Sequence, residues 1–154
     1  LQNVFSVISL KLNLPTTGSM ADRALHAGEL FQKHLNENQY DAVLIRGDRF
    51  EMLPMAMIAA YRNLPIIHIE GGDFSGAIDN KVRNCITHLS EIHFPICKQS
   101  EYRIKTMTNS EHIYNYGSLD VELATFLPKH PLACAIPALP QSFLPAYPTN
   151  QSHP

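Results

Sequence analysis

Two acidic residues follow two short apolar runs, at positions where a carboxylate could take part in proton transfer. Asp48 comes just after the run at residues 42–45, and Glu70 ends the run at residues 65–69; both are set among glycines. Apolar runs of this length, bounded by glycine and separated by a helical pattern, are typical of a β-α-β unit in a parallel sheet. Ligands of such sheets bind beyond the carboxyl ends of the strands. We therefore expect Asp48 and Glu70 to line a site.

Both carboxylates also have simpler interpretations. Asp48 could cap the helix that follows it, and Glu70 could be a rim carboxylate paired with Arg49 or Arg83. A glutamate at the end of an apolar strand is a poor cap, however, and it stands where a core would favour an apolar group. The position of Glu70 is therefore easiest to explain by function.

A third acidic residue, Asp79, is predicted to cap a helix over residues 79–90. Arg83 lies one turn later, where it could orient Asp79 or form an ordinary surface pair. His68 lies in the second apolar run, and a histidine there is more often a core group than a catalyst. The glycines of the loop before Asp79 could bring the backbone close to a ligand or could simply form turns.

Periodicity extends the alternation of strands and helices along the chain. Residues 3–14 read as a strand or extended arm. Val82, Cys85, Ile86 and Leu89 form the apolar stripe of one helix, and Tyr102 and Ile104 face inward from another. Together these patterns predict a three-layer α/β domain with a mostly parallel sheet. The expected helices run from Ser19 to Asn36 or Asn38 and over residues 52–60, 79–90, 98–107 and 120–127, the last capped by Asp120; the expected strands are 42–46, 65–70, 92–97 and 112–116.

Composition and charge argue against several classes of protein. The 154 residues have a net charge of -2 and no basic block, so nucleic-acid binding has no electrostatic support. No apolar run approaches the roughly 20 residues that span a bilayer, so no membrane association is expected. Three cysteines without CxxC spacing indicate reduced thiols and a cytoplasmic location. Without a metal-ligand cluster or a GxGxxG fingerprint, we expect neither a metal nor another cofactor.

The end of the chain differs in kind from the rest. Residues 128–154 hold seven of the 11 prolines and, after Lys129, no Lys, Arg, Asp or Glu. Proline removes backbone donors and blocks helix and central strand alike. We therefore expect the folded part of the chain at residues 1–127 and a proline-rich irregular tail at residues 128–154.

Three short motifs follow one another between residues 47 and 83. They read Gly-Asp-Arg at residues 47–49, His-Ile-Glu-Gly-Gly at residues 68–72, and Ser-Gly-Ala-Ile-Asp-Asn-Lys-Val-Arg at residues 75–83. In this order and spacing they resemble the hydrolysing UDP-N-acetylglucosamine 2-epimerases, which act in sialic acid synthesis and on related sugars for similar nonulosonic acids. The likeness runs from about residue 20 to about residue 126.

The resemblance implies a fold, a reaction and a set of site residues. Residues 1–127 would be a partial first Rossmann-like domain, as a first-domain fragment that supplies one half of a GT-B fold. The reaction would expel UDP from a UDP-2-acetamido sugar to give a 2-acetamidoglucal, and water would then release the 2-epimeric free sugar, of the N-acetylmannosamine type. The implied catalytic residues are Asp48, Glu70 and Asp79, with Glu70 moving the proton at C2, and the implied substrate-binding residues are Arg49, Gly71, Gly72, Ser75, Gly76 and Arg83.

Departures from the family pattern leave alternatives open. Arg46 and Asn84 stand where relatives often carry histidine, and Arg46 would place an extra cation next to Asp48. The nucleotide-sugar contacts of the family's opening segment and second domain have no match. The chain could be the first domain of such an epimerase, a catalytically incomplete remnant or split-gene half, or part of another GT-B sugar-nucleotide enzyme. Its expected partners are a UDP-sugar and either another copy of itself or a complementing second-domain chain.

Overall fold

The computed structural model describes residues 11–126 of the chain. Most of the arm expected at residues 3–14, and all of the tail expected at residues 128–154, lie outside this range. Within it, no helix is long and apolar enough to cross a membrane. The elements are α1 Met20–Glu37, β1 Val43–Arg46, α2 Met52–Tyr61, β2 Ile66–Ile69, α3 Ala77–Leu89, β3 Ile92–Phe94, α4 Lys98–Met107 and α5 Leu119–Phe126.

The three strands form a parallel sheet in the order β1-β2-β3. The register places Ile45 opposite His68, and His68 opposite His93. Helices α2 and α3 make the crossover connections that parallel strands require. The expected α/β class with a parallel sheet is therefore confirmed.

The fourth expected strand is much shorter than predicted. Residues 112–116 contribute an isolated parallel bridge, Ile113 to His93. The bridge rests on hydrogen bonds from His93 N–H to the His112 carbonyl at 2.8 Å and from Tyr114 N–H to the His93 carbonyl at 2.9 Å. β3 itself ends at Phe94 because the next residue, Pro95, has no N–H to donate to a neighbouring strand.

The apolar core lies between the sheet and helices α2 and α3, with α1 packed against α2. Helix α1 begins after Ser19, as expected. The Ser19 hydroxyl accepts a bond from Asp22 N–H at 3.1 Å while the Asp22 carboxylate accepts one from Ser19 N–H at 3.2 Å. This reciprocal capping fixes the start of the helix. The buried apolar residues are Ala27, Phe31, Leu35, Ile45, Met55, Ala56, Ala59, Ile66, Val82 and Ile86.

Two predictions about buried helix faces are wrong. Ile104 is buried, but the Tyr102 side chain is 69% exposed. Residues two positions apart on a helix point in nearly opposite directions, so both could not face inward. Cys85 is exposed at the edge of the α3 stripe, whose buried members are Val82 and Ile86.

Candidate active site

The loops that follow β1 and β2 meet at the carboxyl edge of the sheet. Gly47 N–H donates to the Ile69 carbonyl at 2.9 Å, and Glu70 N–H donates to the Phe94 carbonyl at 3.0 Å. These bonds extend the parallel pairing one residue past each strand. The structure thus places Asp48 and Glu70 at the edge where ligands of parallel sheets bind.

Arg83 gathers the first group of site residues. Its side chain is only 8% exposed and forms an ion pair with the Asp48 carboxylate. The same guanidinium donates to the Asp73 carbonyl at 2.9 Å and to Ser75 Oγ and Asn80 Oδ1 at 3.2 Å each. These three contacts come from Nη1 and the pair with Asp48 from Nη2, so both terminal nitrogens of the planar group are engaged. Arg83 therefore ties the loop after β1 to the loop before α3.

This arrangement corrects two predictions about Asp48 and Arg83. Asp48 does not cap α2, because the helix begins after Glu51 without a side-chain cap bond. Arg83 does not pair with Asp79 one turn earlier, because its guanidinium points instead to Asp48. A long-range ion pair across two loops has replaced both local interactions.

Glu70 belongs to a second group, formed with Arg46 and Asp120. Arg46 donates from Nε to Glu70 Oε1 at 2.8 Å, and its Nη2 lies 2.7 Å from the same oxygen. The same Nη2 also donates to Asp120 Oδ2 at 2.5 Å. We expected Arg46 to act on Asp48, but the structure shows its guanidinium in contact with Glu70 instead. Pairing of Glu70 with Arg49 or Arg83, the other interpretation, does not occur.

The backbone of Glu70 adopts a conformation that L-residues rarely tolerate. Its φ of 66° lies in the left-handed region. For a residue with a Cβ this costs on the order of 1–2 kcal/mol. Such strain concentrates at functional sites.

Asp79 stands apart from both groups. It is an exposed residue in the first turn of α3, whose N-cap is Gly76, so the prediction that Asp79 caps the helix is wrong. Helix α3 begins two residues earlier than expected. The Asp79 carboxylate has no hydrogen-bond or ion-pair partner among residues 11–126. A helix N-terminus still favours negative charge at this place.

Arg49 points away from Asp48 and Glu70. Its Nε and Nη2 donate to the two oxygens of Glu51 at 3.1 Å and 2.7 Å. Although burial alone would raise the pKa of Glu51, the bonds from Arg49 and the nearby charge of Arg23 bring it below its ordinary value. Arg49 thus neutralises a buried carboxylate, which leaves its expected contact with substrate a prediction.

Three glycines were predicted to bring the backbone close to a ligand, and two of them are required by packing within the protein. A Cβ on Gly72, whose φ is +76°, would lie 2.3 Å from the Ser100 carbonyl oxygen. A Cβ on Gly71 would lie 2.9 Å from His68 Nδ1. A Cβ on Gly76, whose φ is +82°, would have no atom within 4 Å. Of these three glycines, Gly76 is therefore the one that leaves space for a ligand.

His68 is a buried core group, as expected, and its contacts also support the site. The buried ring lies 2.9 Å from the Gly47 carbonyl through Nε2 and 3.2 Å from Thr87 Oγ1 through Nδ1. A carbonyl only accepts, so Nε2 carries the proton and Nδ1 accepts from Thr87. Burial lowers the pKa of His68 and keeps the ring neutral. The peptide that carries Asp48 is thereby fixed from below.

The site roles of Asn80, Asp73 and Asp120 were also missed. Asp120 was predicted only as the cap of the last helix, and that prediction is wrong, because α5 begins at Leu119 and Asp120 lies in its first turn. Only the Ser-Gly-x-x-Asp-Asn pattern before α3 could have pointed to Asn80, whose Oδ1 also accepts from Ser75 N–H at 2.8 Å. Among residues 11–126 no group of three His, Cys, Asp or Glu side chains could hold a metal ion.

Comparison with known proteins identifies the family. A sequence model described as UDP-N-acetylglucosamine 2-epimerase matches residues 2–137. The chain belongs to the UDP-N-acetylglucosamine 2-epimerase family. It is 33% identical over 117 residues to the UDP-N,N'-diacetylbacillosamine 2-epimerase (hydrolyzing) of Legionella pneumophila, covering 75% of this chain and 31% of that protein. It is 30% identical over 129 residues to the polysialic acid biosynthesis protein P7 of Escherichia coli, covering 81% and 32%.

Solved epimerase structures share the fold. A crystal structure of a UDP-N-acetylglucosamine 2-epimerase superimposes with a TM-score of 0.69 at 19% identity, covering 80% of this chain and 38% of that one. The Neisseria meningitidis enzyme bound to UDP-GlcNAc gives a TM-score of 0.63 at 20% identity, covering 73% and 33%. The expected half of a GT-B fold is thus confirmed. The chain spans about a third of the length of the sequence relatives it matches.

Proposed function

We propose that this chain contributes the proton-transfer half of a hydrolysing 2-epimerase. The enzyme would convert UDP-N-acetylglucosamine, or a related UDP-2-acetamido sugar, to UDP and the 2-epimeric free sugar. The observation that carries the proposal is the pair of carboxylates, Asp48 and Glu70, at the carboxyl edge of adjacent parallel strands, each held by its own arginine. Two relatives, from Legionella pneumophila and Campylobacter jejuni, have names that specify the hydrolysing reaction.

The reaction needs a proton moved at C2 and a leaving group expelled from C1. In the proposed first step, a carboxylate takes the C2 proton, the C1–O bond breaks, and UDP departs with the bonding electrons to leave the 2-acetamidoglucal. In the second step, water adds at C1 and a proton returns to C2 from the opposite face. Both steps require an acid or base within hydrogen-bond reach of the sugar.

Glu70 suits the C2 proton transfer best. Its carboxylate lies at the sheet edge, its backbone is anchored to β3, and its contact with Arg46 leaves the side chain 22% exposed to an incoming ligand. Asp48 is charge-balanced by buried Arg83, which suits a fixed binding or electrostatic role. Asp79, with room around it at the N-terminus of α3, would supply the third carboxylate as a base or electrostatic group.

The substrate-binding residues remain part of the proposal. Ser75 and Gly76 belong to the loop before α3, and the space next to Gly76 could receive a ligand. The Arg83 guanidinium contacts the same loop through Ser75 Oγ. Gly71, Gly72 and Arg49 are proposed ligand neighbours on the resemblance alone. The proposal also includes a cytoplasmic location and, as a partner, a second copy or a complementing second-domain chain.

The 154 residues alone are expected to turn over slowly or not at all. In the proposed cleft, the part of the enzyme beyond this chain supplies most contacts to UDP. Each lost donor to a developing anion typically costs on the order of 10²-fold in rate. This expectation separates the incomplete half-site from a self-sufficient enzyme.

The test joins residues 11–126 to the opening segment and second domain of a relative and measures UDP release and free-sugar release from UDP-N-acetylglucosamine. Glu70→Gln should abolish turnover while calorimetric UDP binding stays close to unchanged, because the amide keeps the shape and removes the base. Glu111→Gln is the matched control, since Glu111 is an exposed carboxylate that precedes the bridge at Ile113, away from the carboxyl edge.

Three outcomes would count against parts of the proposal. An active fusion in which Glu70→Gln keeps most of the activity removes Glu70 from its role. A fusion that transfers sugar from the UDP-sugar to an acceptor, without releasing the epimer, identifies another GT-B enzyme. Normal turnover by the chain alone contradicts the incomplete-cleft argument.

A further inference from the structure

Arg46 is the residue at this edge that the proposed reaction does not use. Its guanidinium stands between two carboxylates from distant parts of the chain, Glu70 after β2 and Asp120 in the first turn of α5. Nη2 contacts both, at 2.7 Å and 2.5 Å, while Nε is directed only to Glu70 at 2.8 Å. A single planar donor group therefore links α5 to the strand end.

We propose that Arg46 is a positioning residue for Glu70 and that Asp120, by fixing the Arg46 guanidinium, makes α5 a wall of the same site. The proposal rests on the role of Glu70 stated above. Arg46 has a long side chain that is 44% exposed, so one carboxylate alone would leave it several rotamers. A second carboxylate, Asp120, which contacts Nη2, restricts the guanidinium to the orientation in which Nε faces Glu70.

The geometry of the fork explains why the residue is arginine. Arginine presents its donors in a rigid plane and can engage two carboxylates at once, whereas lysine is a single point charge on a flexible stem. The Glu70 backbone is also fixed, by its left-handed φ and its bond to Phe94, so the carboxylate position depends on side-chain rotamers alone. The contact with Arg46 selects among those rotamers.

The chain contains a matched control for Asp120. Both Asp120 and Glu122 are acidic residues in the first turn of α5, so removing either charge changes the helix terminus alike. Within the part of the chain that the structure describes, Asp120 contacts Arg46 and Glu122 does not. Asp120→Asn and Glu122→Gln therefore differ in that only Asp120→Asn removes a contact with Arg46.

The experiment uses the full 154-residue chain and nuclear magnetic resonance, with no turnover required. It follows the Arg46 Nε–H signal, its exchange with water, and the carboxyl carbon of Glu70. Asp120→Asn should speed Nε–H exchange about threefold, which converts to about 0.6 kcal/mol and lies within the range of an exposed ion pair, and should move the Glu70 carboxyl signal. Glu122→Gln should leave both as in the unaltered chain. Arg46→Lys should move the Glu70 signal even though it keeps the charge.

The proposal is overturned if Asp120→Asn behaves as Glu122→Gln does, or if Arg46→Lys leaves the Glu70 signal in place. Asp120 is a largely exposed side chain, and a melting curve of each variant verifies that the fold is retained. Failure of the UDP-release experiment would reject the epimerase proposal without changing these signals, so the two results are separate.

Discussion

The left-handed backbone of Glu70 makes a quantitative prediction about two substitutions. Glu70→Gly and Glu70→Ala both remove the carboxylate, so both lose the half-exposed pair with Arg46, worth roughly 0.2–1 kcal/mol. They differ only in the Cβ. At φ 66° a Cβ costs about 1–2 kcal/mol, whereas at ordinary positions glycine is less stable than alanine by roughly 0.5–1 kcal/mol.

The two effects oppose each other at residue 70, and the left-handed term is the larger. Glu70→Gly should therefore be more stable than Glu70→Ala by roughly 0.5–1 kcal/mol, from the difference between these ranges. In a chain of this size that corresponds to about 1–4 °C in the melting temperature. The free energy of unfolding in urea, measured for both variants, gives the more direct comparison.

Two control positions verify the sign of the effect. Asn63, with φ 55°, should also favour glycine over alanine. Leu44, a half-exposed residue of β1 outside the left-handed region, should favour alanine over glycine. If Glu70→Gly is equal to or less stable than Glu70→Ala while both controls behave as described, the Glu70 backbone is not strained and the argument from strain to function fails.

Two further predictions concern residues beneath the site. Burial, together with the neighbouring His68, lowers the pKa of His93 to about 4. Because the unfolded chain then binds a proton that the folded chain excludes, stability should fall by about 2 kcal/mol between pH 7 and pH 5. Urea unfolding at the two pH values should show a smaller fall in His93→Gln, whereas the exposed control His88→Gln should keep the full fall. Gly72→Ala should lower the free energy of unfolding by about 3 kcal/mol or more. The new Cβ would collide with the backbone of Ser100, and alanine would have to adopt a φ of +76°. Gly117→Ala, with φ +90° and no atom within 4 Å of its Cβ, should lose only about 1–2 kcal/mol in the same assay.

Local patterns were sufficient to predict the framework of the site. The apolar runs around residues 42–46 and 65–70 alternate with a helical pattern, and the parallel pairing of β1 with β2 follows from the crossover alone. The same reasoning placed Asp48 and Glu70 at one edge. Pro95 was also visible in the sequence, and its missing donor explains why β3 ends before residue 97.

The partners of the charged residues could not be predicted in the same way. Asp48 and Arg83 are 35 positions apart, and Arg46 and Asp120 are 74 positions apart. Local rules favoured a cap for Asp48 and a one-turn pair for Arg83, since those contacts need no knowledge of the fold. Which loops meet depends on helix lengths and on the exact start of α3, and the two-residue error at that start moved Asp79 out of the cap position.

The two arginines give the two carboxylates different freedom to move. Separating Asp48 from Arg83 would leave a guanidinium that is only 8% exposed without its carboxylate, at about 3–5 kcal/mol. Separating Glu70 from half-exposed Arg46 costs at most about 1 kcal/mol, because water can replace the contact. A group that accepts a proton must approach the carbon that carries it, so it has to leave its resting partner during the reaction. Glu70 can do so at small cost and Asp48 cannot, which is why we assign proton transfer at C2 to Glu70 and a fixed electrostatic role to Asp48.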